Sequence, residues 1–170
     1  MRQRTAWEQR APEEAHLFNP AFCGALVFEF VKSYTNAAAQ SGVDLPQAFC
    51  ALPIALHRET RQNLPSSTRT SVYTWLQRFP AAQVGYAERA TDLAPIVKEA
   101  VMFAVARQTL CFNESGQLAV GRQKTSFTPG FLETATPEVK EIVSSSRLLG
   151  RWFATAGSTA TLLASWSITL

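Results

Sequence analysis

The sequence has 170 residues, of which 46% are hydrophobic and 17% are charged, below the usual charged share of about 25%. The formal net charge of +3 is weak, and the most apolar run, about a dozen residues from Pro20 to Val31, is too short to cross a membrane. A surface with so few charges predicts that a partner covers part of it.

The first twelve residues of the sequence are polar, and Pro12 is the last of them. Residues 1–12 are therefore predicted to form a flexible arm before a single compact domain over residues 13–170. Because no apolar leader is present and no CxxC pair occurs, we expect a cytoplasmic protein in a reducing compartment. The three cysteines are expected to be buried free thiols: Cys23, Cys50 and Cys111.

Two helices are predicted in the first third of the chain. Asn19 is a cap residue and Pro20 suits the first helical position, so a helix should begin here and continue to about residue 40. The next apolar run, LPQAFCALPIAL over residues 45–56, contains two prolines. Because proline lacks the backbone donor that a helix interior needs, we predict a short helix from 46 to about 52 and an irregular turn at Pro53.

A polar stretch, ALHRETRQNLPSSTRT over residues 55–70, separates these helices from the next one. Ser66 or Ser67 is predicted to cap a helix from about 67 to 79, whose apolar residues recur at helical spacing. The prolines at Pro53 and Pro65 are expected to stiffen the stretch.

Helical segments and a β-hairpin are predicted next. One helix should run from about 83 to 90, and a second should begin at Thr91-Asp92, with Pro95 near its start, and end at Gln108. The alternating runs TLCFN and QLAVG, joined by ESG, predict the hairpin. Helices followed by a hairpin over residues 46–122 have the plan of a winged helix. The predicted fold class is mainly α, in an α+β arrangement, with a winged-helix-like unit.

The C-terminal region, residues 137–170, is predicted to hold one long helix and a short terminal segment. Residues 123–135 have the composition of a loop. Thr136-Pro137 begins the long helix, which should end at Gly157. Ser158 can cap a short last helix or turn, and the final WSITL predicts a strand.

No catalytic or metal-binding set can be assembled from the sequence. His57 and Glu59 have the HxE spacing of zinc deaminases, but the PCxxC pair that those enzymes require is absent. HExxH, P-loop, GxSxG and GxGxxG motifs are absent too, and the cysteines lie in apolar settings that make a thiol unreactive. We therefore predict that the protein is not an enzyme, needs no cofactor or metal, and uses His57 as a hydrogen-bonded hinge.

Basic residues favour contact with a partner or with phosphate. Arginines cluster in and after the polar stretch, with hydroxyl and amide side chains between them, although a solvated connector has the same composition. The candidates for partner or DNA-backbone contact are Arg58, Arg61, Arg69, Arg78, Arg89 and Lys124. The hairpin tip, residues 113–116, is acidic where a DNA-binding wing is usually basic. Protein docking is therefore favoured over the alternative function, a stand-alone winged-helix DNA-binding regulator.

Four segments of the sequence resemble the middle component of three-component ABC systems, which are bacterial conflict operons such as the Lamassu-type antiphage systems. They are LFNPAFCG (17–24), LPIALHRETRQNLPSSTRT (52–70), YAERATDLAPIVKEAVMF (86–103) and RLLGRWFATAGSTAT (147–161). They occur in the family's order and together extend over nearly the whole chain. The residues interpreted as structural motif are Asn19, Pro20, His57, Pro65, Thr68, Thr70 and Trp152.

The resemblance implies a non-catalytic accessory subunit that accompanies an SMC/Rad50-like ABC ATPase and, in many operons, an effector such as a nuclease. Such a subunit would bridge the ATPase and the effector in antiphage or antiplasmid defence. It would meet DNA through the complex rather than alone, and no membrane partner is expected.

Residues 57–70 are thus predicted to form a stiff polar connector. We expect it to fix the helix from 67 to 79 against the core and to offer Arg58, Arg61 and Arg69 to a partner. The partner would be an acidic surface of the ATPase first and DNA phosphate second. Glu59 is the only acid in this stretch, so the arginines are expected to lack local neutralisation.

Overall fold

Caps and apolar faces set the order of elements, which the computed structural model describes over residues 18–124 and 127–168. The described elements are α1 (Pro20–Ala38), α2 (Leu45–Leu56), α3 (Arg58–Gln62), α4 (Val72–Arg78), a 3-10 helix (Pro80–Gln83), α5 (Tyr86–Ala106), β1 (Leu110–Phe112), β2 (Leu118–Val120), α6 (Pro129–Thr134), α7 (Pro137–Phe153) and α8 (Thr159–Ser165). This mainly helical fold with one small hairpin confirms the predicted fold class.

Helix α1 packs along both α5 and α7 and forms the centre of the hydrophobic core. Its start is the predicted one, because the Ala21 N–H donates to Asn19 Oδ1 at 2.7 Å and Pro20 takes the first helical position. Glu29 is buried on this helix, and Arg147 Nε of α7 lies 2.7 Å from its carboxylate. Burial of an unpaired carboxylate would be very unfavourable, so this pair helps fix how α7 lies against α1.

The backbones of α1 and α7 approach closely at Gly150. A Cβ added to this glycine would lie 2.4 Å from the carbonyl oxygen of Phe30 and 2.9 Å from the backbone nitrogen of Tyr34. Such distances are below any van der Waals contact, so only glycine allows the two helices to pack as they do.

Prolines do not interrupt the helices where the sequence predicted that they would. Helix α2 continues through Pro53, and α5 is one helix that contains Pro95, so the predicted turn at Pro53 and the predicted break near Thr91 are wrong. An interior proline costs about 3 kcal/mol through one lost hydrogen bond and a clash. Nearly every side chain from position 47 to 56 is buried, and this apolar burial offsets such a cost.

The predicted hairpin is confirmed, with Leu110 opposite Val120 and Phe112 opposite Leu118. Val43, between α1 and α2, extends it through reciprocal backbone hydrogen bonds of 2.9 Å with Leu118. The hairpin is therefore tied to the loop after α1 as well as to α5. The winged-helix interpretation of residues 46–122 stays a prediction.

The C-terminal region departs from its predicted outline in three places. The predicted loop over residues 123–135 contains α6, whose first turn is capped by Thr128. Helix α7 ends at Phe153 rather than at Gly157. Residues 166–168 form no strand, and the rest of the predicted strand lies outside the described residues, as does the predicted arm over residues 1–12. The predicted cap at Thr136 is confirmed by a 3.3 Å bond from the Val139 N–H.

Five aromatic side chains join α4, α5, α7 and the end of α8. Trp75 contacts Trp152 edge to face with ring centroids 5.5 Å apart, and Trp166 lies between Trp75 and Tyr86. Phe79 packs on Trp75 at 5.4 Å. Aromatic pairs of this kind add about 0.5–1.5 kcal/mol beyond area burial, so this cluster attaches the short helices to the core.

Of the helices in the described part of the chain, none is long and apolar enough to cross a membrane.

Replacing Gly150 by alanine is expected to lower the free energy of unfolding by about 1–3 kcal/mol, because α1 and α7 must separate to admit a Cβ. Gly130→Ala is the matched control, since a Cβ there meets nothing within 4 Å, and its effect should stay within about 0.5 kcal/mol. Urea unfolding of the three proteins measures this difference. Equal midpoints for Gly150→Ala and the unmutated chain would contradict the close approach.

Candidate partner-binding connector

The connector, defined here as residues 57–71, links the end of α2 to the start of α4 and includes α3. His57 caps α3, because its Nδ1 accepts from the Thr60 N–H at 3.3 Å and lies 2.7 Å from Thr60 Oγ1. The predicted hinge role of His57 is thus that of a helix cap. This use of Nδ1 as an acceptor requires an imidazole without a proton on that nitrogen.

The pKa of His57 is lowered from its ordinary value of 6.5. Burial disfavours the charged imidazolium, and the positive charge of Arg89 acts in the same direction. The neutral form that caps α3 is therefore the form that the folded state favours.

Arg61 is buried, with a fully covered side chain, rather than offered to a partner as predicted. Its Nη1 donates to the carbonyl oxygens of Ala55 and Leu56 at 3.0 and 3.2 Å, at the end of α2. Its Nη2 and Nε reach Glu138 and Glu141 in the first turns of α7, both at 3.0 Å. The shortage of acids near Arg61 in the sequence predicted an unneutralised arginine. The two carboxylates that bind it come instead from α7, about 80 residues later in the sequence.

Two tryptophans of the core hold the connector backbone. Trp75 Nε1 donates to the Asn63 carbonyl at 2.9 Å, and Trp152 Nε1 donates to the Thr70 carbonyl at 2.6 Å. Buried indole N–H groups need an acceptor, and these acceptors lie near both ends of the irregular segment. The route of the connector is therefore fixed by the core, and Trp152 and Thr70 act as one structural pair.

The cap of α4 is Ser71, not Ser66 or Ser67 as predicted. Its Oγ accepts from the Thr74 N–H at 3.1 Å, so the helix begins five or four residues later than expected. Ser66 and Ser67 are exposed, while Pro65 and Thr68 are half-buried. Pro65 lies at a polar pocket of about 310 Å³ between the connector and α7.

The other candidate contact residues lie at the surface. Arg58, Arg69, Arg78 and Lys124 are exposed, and within the described residues none of them forms a hydrogen bond or an ion pair. Arg89 differs, because it is half-buried, donates to the Val84 carbonyl at 2.8 Å and lies over the Tyr86 ring. The connector itself thus presents Arg58 and Arg69, with Arg78 just beyond it at the end of α4.

Sequence reasoning missed Glu138 and Glu141, the two acids that bind Arg61. Their spacing of three places both on one face of α7, which was the available signal. Which arginine they would meet depends on tertiary packing, and no local pattern gives it.

The candidate groups for catalysis or metal binding are His57 and the cysteines. Among residues 18–124 and 127–168, no group of three or more His, Cys, Asp or Glu could hold a metal ion. Burial raises the pKa of the Cys50 thiol to about 12, and the Tyr86 hydroxyl lies 3.0 Å from its sulfur. Cys23 and Cys50 are buried as predicted, whereas Cys111 is exposed on β1, so the expectation of burial is wrong for it.

The structure is thus a mainly helical fold with a small hairpin and a connector whose backbone is held by side chains of the core. The chain matches the family model described as MC3, ABC-three component (ABC-3C) system Middle Component 3, over residues 7–170, and it belongs to that family. It is accordingly a middle component of an ABC-three component system. No curated protein and no solved structure matches it.

Arg61→Met should lower the free energy of unfolding by about 1–3 kcal/mol, because the Ala55 and Leu56 carbonyls lose their donor. Arg58→Met is the matched control on the same connector, and its exposed side chain predicts a change within about 0.5 kcal/mol. Chemical denaturation of both variants tests this. An Arg61→Met protein as stable as the unmutated one would contradict a structural role for Arg61.

Acidification should destabilise the protein through His57. The folded pKa of His57 lies below 6.5, so the unfolded chain binds more protons near that pH and stability falls as pH decreases through 6.5. The melting temperature should therefore fall less between about pH 7.5 and about pH 5.5 in His57→Asn than in the unmutated chain. Asparagine is a good helix cap and has no titrating ring. His16→Asn is the control. The prediction fails if His57→Asn and the unmutated chain lose the same number of degrees.

Proposed function

We propose that this middle component is a non-catalytic accessory subunit that bridges an SMC/Rad50-like ATPase and an effector in antiphage or antiplasmid defence. The observation that carries the proposal is the connector, a polar segment that the core holds in one position while it presents Arg58 and Arg69, which form no ion pair with residues 18–124 or 127–168. The four segments that resemble the middle components of Lamassu-type systems, together with the family, support the choice of partners.

The connector suits protein binding because little order has to be gained when a partner arrives. Its backbone is held by Trp75 and Trp152, and the charge of its buried Arg61 is neutralised by Glu138 and Glu141. Arg58 and Arg69 are then presented from a pre-organised segment, which lowers the entropic cost of association. Charge-assisted bonds from arginine to carboxylates favour an acidic surface of the ATPase as the first partner.

DNA is contacted through the complex rather than by this chain alone. The hairpin tip supports this view, because Glu114 is exposed there and the Asn113 side chain is used to close the turn. The isolated chain should bind a random duplex weakly at physiological salt, with a shallow dependence of affinity on salt concentration. Fluorescence anisotropy measures both quantities. Tight binding with a steep salt slope would favour the alternative function, a DNA-binding regulator.

Reversing the charge of the exposed arginines of the connector should weaken the binding of this chain to the ATPase. Arg58→Glu with Arg69→Glu is expected to weaken capture of the ATPase at least about tenfold and to abolish defence, while the melting temperature changes little. Arg122→Glu, an exposed site outside the connector, should behave as the unmutated chain. Pull-down from co-expressed operon proteins, phage or plasmid challenge and thermal melting are measured together. A folded double variant that binds and defends normally would overturn this use of the connector.

A further inference from the structure

An apolar groove of about 530 Å³ lies between α2, α5 and the segment that follows α8. Its α2 side consists of Leu45, Pro46 and Phe49, and its α5 side contains Ala87, Ala90 and Ala94. We call it the α2–α5 groove. It lies away from the connector, which begins at the opposite end of α2.

The alanines of α5 lie on one face of that helix, where Ala87 is exposed and Ala90 and Ala94 are only half-covered by the residues that the structure describes. Positions 87, 90 and 94 follow the spacing of a helical face and extend over about two turns. Further along α5, Val97 and Ala100 are buried in the core, so this face is accessible only over its first turns. Small side chains on an uncovered face allow the backbone of another helix to come close, as ridges of one helix enter grooves of the next.

Two polar side chains of the groove lining, Thr91 and Cys50, already have hydrogen-bond partners. Thr91 Oγ1 donates to the Ala87 carbonyl at 2.8 Å, and the Cys50 sulfur lies 3.0 Å from the Tyr86 hydroxyl. A site for a small metabolite usually combines an apolar lining with a few convergent polar groups that fix its orientation. The groove therefore favours an apolar helix face over a polar small molecule.

Exposed charges beside the groove indicate which charge a bound helix would carry along its side. Glu88 and Asp92 are exposed on α5, four residues apart, and neither forms an ion pair within the described residues. Like charges at this spacing repel each other, and a cation between them relieves the repulsion. Lys98 follows Ala94 by one turn, so the sign of the charge changes at the far end of the groove.

We propose that the α2–α5 groove receives an amphipathic helix from another component of the ABC-three component system. Its apolar face covers about two turns of α5, and its flank carries Lys or Arg opposite Glu88 and Asp92. This inference rests on the proposed function in that it requires a partner component, but it assigns that partner a second surface, separate from the connector.

Blocking the groove tests the proposal. Ala87→Arg and Thr91→Arg each place a long charged side chain on its exposed α5 wall, and Ala37→Arg on the exposed face of α1 is the matched control. Isothermal titration with the purified remaining components should give at least about a tenfold weaker Kd for the first two variants and no change for the control. Melting curves must show all three proteins folded, and Thr91→Gln provides a milder variant if Thr91→Arg does not fold.

The charge of the flank is tested separately. Glu88→Lys with Asp92→Lys should weaken binding, and the loss should shrink as salt is raised, because the interaction is between exposed charges. Glu114→Lys at the hairpin tip is the matched control. Equal affinity of the double variant and the control at low salt would overturn the basic flank.

A photoreactive benzoylphenylalanine in place of Thr91 identifies the occupant. Cross-linking to a helical segment with Lys or Arg in another component supports the proposal, whereas cross-linking to a second copy of this chain or to its own N-terminal region overturns it. A small molecule retained in native mass spectra and lost in Ala87→Arg also overturns it. If the other components bind all groove variants equally, only this inference fails; if the unmutated chain binds none of them, the proposed function fails as well.

Discussion

The buried guanidinium of Arg61 is the interaction on which the arrangement of the helices around the connector depends. A fully covered arginine is tolerated only when its donors are satisfied, and its acceptors here come from the end of α2 and the first turns of α7. The carbonyls of Ala55 and Leu56 belong to the last turn of α2, where a helix leaves such groups without partners. A single side chain therefore terminates α2, anchors α3 and positions α7.

Hydrogen bonds from two tryptophan N–H groups hold the rest of the connector in place. Trp75 and Trp152 touch each other in the aromatic cluster, and each sends its indole N–H to a connector carbonyl. The segment is irregular, yet its backbone groups are held by side chains that belong to the core. Arg61 points inward from this segment, whereas Arg58 and Arg69 are exposed on it.

Local signals in the sequence predicted part of the local structure, although they placed the cap of α4 at Ser66 or Ser67 instead of Ser71. The caps at Asn19 and Thr136 and the hairpin depend on neighbouring residues alone, and all were predicted. The proline rule failed in α2, because a cost of about 3 kcal/mol for an interior proline is smaller than the gain from burying a largely apolar helix. The predicted helix start at Thr91-Asp92 was wrong because α5 continues through these residues. The role of Arg61 could not be read from the sequence either, since its carboxylates, Glu138 and Glu141, lie almost half the chain away and composition cannot pair them.

A subunit that bridges two partners needs two surfaces that do not compete, and α2 separates two surfaces of different chemistry. The first turns of α2 line the apolar α2–α5 groove, whose acidic flank lies on α5. The last residue of α2 leads into the basic connector. From Phe49 to His57 the helix rises about 12 Å, which places the two ends apart on one rigid element. Because the flanking charges differ in sign, the proposed function would have a basic helix attracted to the groove and an acidic surface to the connector, so that each partner is directed to its own end of α2.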